Sequence, residues 1–556
     1  MKHLLLLASL LTCMGAGAQQ ATFRNPVIAG DMADPTVIRV DNTYYATGTS
    51  SEWAPYYPLF RSKDLVNWRQ IGHLFEQQPA WTRSSFWAPE LFHRNGKTYA
   101  YYTARRKTDG TSYIGVATAD KPEGPYTDHG PIVEYGTEAI DAFVLEDAGE
   151  LYISWKAYGL DPRPIELLAC KISDDGLRMA GEPFTLLRDD KRQGMEGQHW
   201  LKIGDYYYIV YSINGCCGPG SDYAVAVARS QNLRGPYERY AGNPILHGGG
   251  DVQSIGHGTI TTTPDGRMFY LCHAYLAGEN FFLGRQPMLQ QIVLGDDLWL
   301  HFRGGETASL TQPMPFAGMA QQPVFDFADD FTADRLRPEW TWNYPYATPE
   351  IELADGRLFL GGRPKEGVKT GTALCLRAVS PDYTLETALS DRNAGWSGLT
   401  VYGDAANLLV WGLQGDEVLL KLYKDGRETL LGSSGQIGAY LPVYLRIEVR
   451  GNAPAAFGYS TDGHTWKQVE NLPVGAEDLL QWDRVARPGL YYQGTEGQAA
   501  EFEYMRMTNR WEKLQPPSAR QALCGSTAES RPELSDKKSR PELFGAAFSS
   551  GTAPVN

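Results

Sequence analysis

The stretch Gly30–Ser50, GDMADPTVIRVDNTYYATGTS, sets one acid, Asp34, between an alanine and a proline. An apolar run, a turn and a tyrosine-rich run follow, which reads as a β-hairpin. The same grammar returns four times: WAPELFHRNGKTYAYYTA, IDAFVLEDAGELYISWKA, EGQHWLKIGDYYYIVYS and GHGTITTTPDGRMFYLCHA. Their turns, DN, NG, AG, GD and DG, are mostly hairpin chemistry. The aromatics Tyr44, Tyr99, Tyr152, Tyr207 and Phe269 recur every 53 to 62 residues. Each hairpin is followed by more strand-like sequence, and Gly-Pro-Tyr recurs at Gly124–Tyr126 and Gly235–Tyr237. A repeat of this length with about four strands is a propeller blade. Five repeats predict an all-β fold that begins with a five-bladed β-propeller. A β-sandwich or β-helix explains the hairpins but not the constant spacing.

In a propeller the innermost strands line one channel, so equivalent positions converge. The residues starting each first strand are Asp34, Trp87, Asp141, Glu196 and His257, each 10 to 12 residues before its blade's aromatic. On its own, an Asp before a Pro is a good turn-former. Here the proline is expected to hold Asp34 extended and aimed at the channel. A structural propeller has little use for three converging carboxylates, which repel and are costly to desolvate. Two carboxyls across a cleft can cleave a glycosidic bond, one ionised to activate water and one protonated to assist the leaving oxygen. A third can raise the acid's pKa by like-charge repulsion.

The motifs ADPTVIRVDNTYYATGT, AIDAFVLEDAGELYISW and GMEGQHWLKIGDYYYIVYS resemble the first-, third- and fourth-blade motifs of glycoside hydrolase family 43, over about residues 24–310. The resemblance implies that Asp34 is the general base, that Asp141 tunes and orients the acid, and that Glu196 is the general acid. It implies inversion at the anomeric carbon, with carboxyl groups about 6.5–9.5 Å apart. It implies exo-hydrolysis of terminal α-L-arabinofuranosyl or β-D-xylosyl units of plant polysaccharides or oligosaccharides. The alternatives are a β-galactosidase- or galactanase-like activity on pectin side chains and a non-catalytic glycan-binding propeller. His257, in SIGHGTI, resembles a fifth-blade histidine beside a channel ion, often calcium. That implies a structural Ca2+ near it, held through water, although no cofactor is required for the chemistry. A neutral histidine hydrogen-bonded inside the channel is the plain alternative. Arg285, in FFLGRQPMLQQI, resembles an arginine that points into the sugar pocket. Trp87 is expected as a stacking wall and Phe143, two residues after Asp141, as a pocket-lining ring on the same strand face. Glu90 is expected at solvent or in a structural bond.

The N-terminus, MKHLLLLASLLTCMGAGAQQ, reads as a signal peptide over 1–18, too short to span a membrane. The lipoprotein alternative through Cys13 has Thr where a small residue is usual before the cysteine. The product is expected to be exported, periplasmic or extracellular, with no transmembrane segment. The formal charge is -14, without basic runs in the folded part, which disfavours nucleic acid. The six later cysteines show no metal spacing, and the adjacent Cys216 and Cys217 are expected to form a vicinal disulfide. The propeller is expected over 19–318. After a Gln/Pro-rich linker, alternating strands over 325–510 read as a β-sandwich. Its segments DDF, YSTDGHTW and AAEFEYMRM resemble the concanavalin-like jelly-roll that follows many family 43 domains. Residues 511–556, polar and Pro/Ser-rich with SRPEL twice, are expected to be disordered.

Overall fold

Each of the five hairpins supplies the first two strands of an antiparallel sheet in the computed structural model, four-stranded in four blades and five-stranded in the fourth, where Leu246–His247 adds a short strand. The structure describes residues 21–510 except 219, 278–282, 323–325, 393–394 and 480–482. The leader, Cys13, Cys524 and the tail at 511–556 lie outside the described residues. The innermost strands are Thr36–Val40, Thr82–Arg94, Ala139–Asp147, Met195–Ile203 and Val252–Thr262. Each packs on the next and the last on the first, which closes a five-bladed propeller. Thr22–Arg24 pairs with Thr311–Pro313 and ties the two ends of the ring. Tyr44, Tyr99, Tyr207 and Phe269 are buried and Tyr152 half-buried, each on its blade's second strand. Fully burying such a ring contributes roughly 1.5–3 kcal/mol. The two Gly-Pro-Tyr tripeptides build the same turn: Tyr126 Oη donates to the Pro122 carbonyl and Tyr237 Oη to that of Leu233, both at 2.9 Å.

One residue near the start of each blade departs from extended geometry. Asp34, Ala88, Asp141, Gly197 and His257 have φ of 53°, 40°, 60°, 60° and 42°. This overturns the expectation that Pro35 holds Asp34 extended. It also moves the repeat by one residue in two blades, where Ala88 and Gly197, rather than Trp87 and Glu196, match Asp34. The ladder is bulged around these positions in blades two to five. The cause is a set of pins between blades. The N–H of each left-handed residue is caught by a side chain of the preceding blade: Ala88 by Thr49 at 2.8 Å, Asp141 by Thr103 at 3.2 Å, Gly197 by Asp141 at 3.2 Å, His257 by Ser212 at 2.7 Å and Asp34 by His273 at 3.0 Å. Those buried bonds outweigh the local preference of a residue before proline.

The second half is a β-sandwich. One sheet is built on Ala347–Ala354, Arg357–Pro364, Ala500–Asn509, Asp382–Leu389, Val443–Arg450 and Ala453–Ser460 in that order. The other runs Thr372–Cys375, Arg487–Gln493, Trp396–Asp404, Asn407–Gln414, Glu417–Lys424 and Arg427–Gln436. Val443–Arg450 alternates buried and half-buried residues strictly, as a strand with one face in the core must. Leu385, Leu445, Ile447, Leu399, Trp411 and Leu490 fill the space between the sheets.

The sandwich docks on blade one. Trp342–Asn343 pairs antiparallel with Trp53–Ala54, and the Arg487 guanidinium lies 4.1 Å from the Trp53 ring centre. Arg484 Nη2 sits 2.9 Å from Glu52 Oε2, and its Nη1 donates to Ser51 Oγ at 3.1 Å. Cys216 and Cys217 are disulfide-linked, whereas Cys170, Cys272 and Cys375 are buried free thiols. Among the described residues no helix is long and apolar enough to cross a membrane.

Candidate active site

Asp34 is buried at the head of blade one with four partners around its carboxylate. Thr49 Oγ1 donates to Oδ2 at 2.6 Å. Arg285 Nη1 donates to Oδ1 at 3.3 Å, and the Nδ1 atoms of His257 and His273 lie 3.3 and 3.2 Å from the same oxygen. Burial alone would raise the carboxyl pKa. Arg285 foremost, with His257, outweighs it and holds Asp34 well below the usual carboxylate range. Burial also keeps His273 neutral, lowering it to about 4. These partners favour Asp34 as an ionised, desolvated carboxylate, the form a general base requires.

Asp141 and Glu196 form a second, proton-retaining group. Asp141 Oδ2 accepts from the Gly197 N–H at 3.2 Å, and His257 Nδ1 stands 3.9 Å away. Burial foremost, with the charge of Glu196 adding to it, raises Asp141 to about 7. Glu196 accepts from Lys156 Nζ at 2.7 Å and from Tyr223 Oη at 3.0 Å. Burial would raise its pKa, but the Lys156 charge outweighs burial and lowers it. Two neighbouring carboxyls in one desolvated site resist losing both protons. The Lys156 charge favours the ionised form of Glu196, and burial favours the neutral form of Asp141.

Tyr223 joins the two groups. Its hydroxyl bonds Glu196 while its ring stacks on His273, centroids 5.7 Å apart, and His273 touches Asp34. Asp34, Asp141, Glu196, His257 and Arg285 are thus brought together as the sequence predicts. Lys156, Tyr223, His273 and Thr49 were not foreseen. A lysine inside the apolar strand of ISWKA and a histidine inside FYLCHA were the signals available.

One expectation changes. Phe143 does not line the site: the bulge between Ile140 and Phe143 breaks the alternation, and its ring packs on His199, centroids 4.3 Å apart, within the apolar core of blades three and four. Trp87 is half-buried with the Arg105 guanidinium 5.6 Å from its ring centre. Of the two expectations for Glu90, the structural bond is the one found: it is buried, accepts from Thr36 Oγ1 at 2.7 Å and is raised by burial to about 8. Among the described residues no set of three or more His, Cys, Asp or Glu is arranged to hold a metal ion directly.

Comparison with known proteins agrees with this geometry. The profile of Glycosyl hydrolases family 43 matches residues 23–300, and that of a beta xylosidase C-terminal concanavalin A-like domain matches 328–508. A xylan 1,3-beta-xylosidase from a Vibrio species is 26% identical over 506 residues, 81% of this chain and 90% of that protein. A xylosidase/arabinosidase from Humicola insolens is 28% identical over 494 residues, 80% and 88% of the two chains. The crystal structure of a family 43 protein from Bacillus licheniformis superposes with a TM-score of 0.76 at 22% identity, over 88% of this chain and all of that one, a likeness of fold. With a propeller that gathers two unlike sets of carboxylates and a sandwich docked on its first blade, the chain belongs to glycosyl hydrolase family 43.

Proposed function

We propose that this glycoside hydrolase is an exported, inverting exo-glycosidase that removes terminal α-L-arabinofuranosyl or β-D-xylosyl units from plant cell-wall polysaccharides or oligosaccharides. The observation that carries the reading is the opposite protonation of the two carboxyl groups. Asp34 is held ionised by Arg285, and the Asp141–Glu196 pair retains a proton. Asp34 deprotonates a water beneath the anomeric carbon, and Glu196 gives a proton to the departing oxygen. Once the shared proton sits on Glu196, the Asp141 carboxylate disfavours its loss by like-charge repulsion, and the Asp141 grip on the Gly197 N–H fixes the backbone next to the acid. The chemistry so written uses no cofactor. Xylosidase and arabinofuranosidase names among the relatives support the two sugars. The leader-like N-terminus supports export.

The test is hydrolysis of 4-nitrophenyl α-L-arabinofuranoside and β-D-xyloside by wild type, Asp34→Asn and Glu196→Gln. Wild type is expected to cleave at least one, and each variant to lose about 10²–10⁴-fold in kcat/KM. NMR of the first-formed sugar is expected to show the inverted anomer. Retention of configuration, or variants as fast as wild type, would remove the assignment.

A further inference from the structure

The guanidinium that holds Asp34 is itself held from the other domain. Arg285 Nη1 reaches Asp34 Oδ1 at 3.3 Å, and Nη2 reaches Asp483 Oδ2 at 3.2 Å. Asp483 belongs to the sandwich and precedes Arg484, whose contacts with Glu52 and Ser51 pin that turn to blade one. The Asp483 side chain is 3% exposed and that of Arg285 13%. Asp483 Oδ1 is buried without a hydrogen-bond partner among the described residues. Burial raises the Asp483 pKa against the pull of Arg285. A buried carboxylate with one ion pair and one unsatisfied oxygen is a poor source of stability. Its position at the far fork of the arginine that sets the base is a better reason for its presence.

We infer that Asp483 is a positioning residue for the glycosidase, holding the Arg285 fork against Asp34 so that the sandwich domain completes the catalytic site. This rests on the reading of Asp34 as the base. The fork has two ends, and a guanidinium anchored at one end cannot turn away at the other. Arg285 is also steadied by its own N–H, which donates to Asp31 Oδ1 at 3.2 Å, and it faces Tyr275. His257, His273 and the more distant Asp141 are the other titratable groups around Asp34. Without the Asp483 anchor Arg285 swings off, the burial of Asp34 is no longer opposed, and its pKa rises.

The test compares Asp483→Asn and Asp483→Ala with wild type on the two nitrophenyl glycosides from pH 3 upward, with folding checked by thermal unfolding. Both variants are expected to lose about 10–100-fold in kcat/KM. The acid limb of the kcat/KM profile is expected to move up by about one pH unit or more. The sign is diagnostic. If Asp483 did not position Arg285, removing its negative charge would leave that limb in place or move it down, and that result overturns the inference. A double-mutant cycle of Asp483→Asn with Arg285→Lys, read by thermal unfolding, is expected to show coupling whatever the substrate. Additive effects also overturn the inference. A wild type inert on both glycosides with a coupled cycle would count against the proposed substrates and leave the Asp483–Arg285 tether standing.

Discussion

At Glu196 the needs of catalysis and the charge of Lys156 pull in opposite directions. A general acid must arrive protonated, yet an ammonium donates to Glu196 Oε2 at 2.7 Å and favours the carboxylate. Lys156 also faces Glu138 and Asp141, so it is the cation that keeps three buried acids compatible. Removing it favours the neutral form of each. Lys156→Met is therefore expected to raise the Glu196 pKa and carry the basic limb of kcat/KM upward by about one pH unit, because the acid then stays protonated to higher pH. A pH–rate profile checks this, and a limb that stays put while the rate falls uniformly would show Lys156 to be only an orienting contact. The candidate acids themselves were legible because each stands 10 or 11 residues before its blade's anchoring aromatic. Lys156, His273 and Tyr223 were not, since Lys156 and His273 lie inside second strands, where sequence shows packing rather than direction, and Tyr223 sits at the foot of a loop.

At the scale of the strand, the bulge is the device that aims the acids. A left-handed residue turns its N–H toward the preceding blade, and the side chains beside it turn with it. Gly197 shows the constraint most sharply. Its φ is 60°, and a Cβ there would stand 2.6 Å from His257 Cγ. Gly149, in the blade-three hairpin turn, has φ 83° with nothing within 4 Å of the same atom. Gly149→Ala is expected to lose only the left-handed penalty, about 1–2 kcal/mol, with unchanged kcat. Gly197→Ala is expected to lose more stability and to reduce kcat as well, because His257 must move off Asp34 and Asp141. Thermal unfolding and steady-state kinetics of the two variants separate these cases. Period-two reasoning found the strands, but it placed Phe143 on the wrong face and Trp87 in the wrong register. One extra residue in a bulge reverses every side chain beyond it.

At the scale of the molecule, the sandwich and the propeller act as one catalytic body. Trp53 is the centre of the contact, pairing with Trp342–Asn343, lying under Arg487 and packing edge-on to Tyr402 with centroids 5.9 Å apart. Trp53→Ala is expected to cost about 3–5 kcal/mol. It is also expected to split a single calorimetric transition into two and to lower activity, since Asp483 is carried by the loosened domain. One unchanged transition with full activity would contradict that coupling.

The sequence by itself determined the hairpins, their fivefold recurrence, the second all-β domain and the three acids at the blade heads. These follow from short-range chemistry, in which turn residues, alternation and spacing are written along the chain. Only the tertiary structure decided how those acids are charged. Asp34 meets His273 across 239 residues and Arg285 across 251, and it meets the influence of Asp483 from another domain. A carboxylate's pKa is set by burial and by the charges within a few ångströms. Which charges those are depends on blade closure, on the bulges and on the docking of the sandwich, none of which has a local signature in the chain.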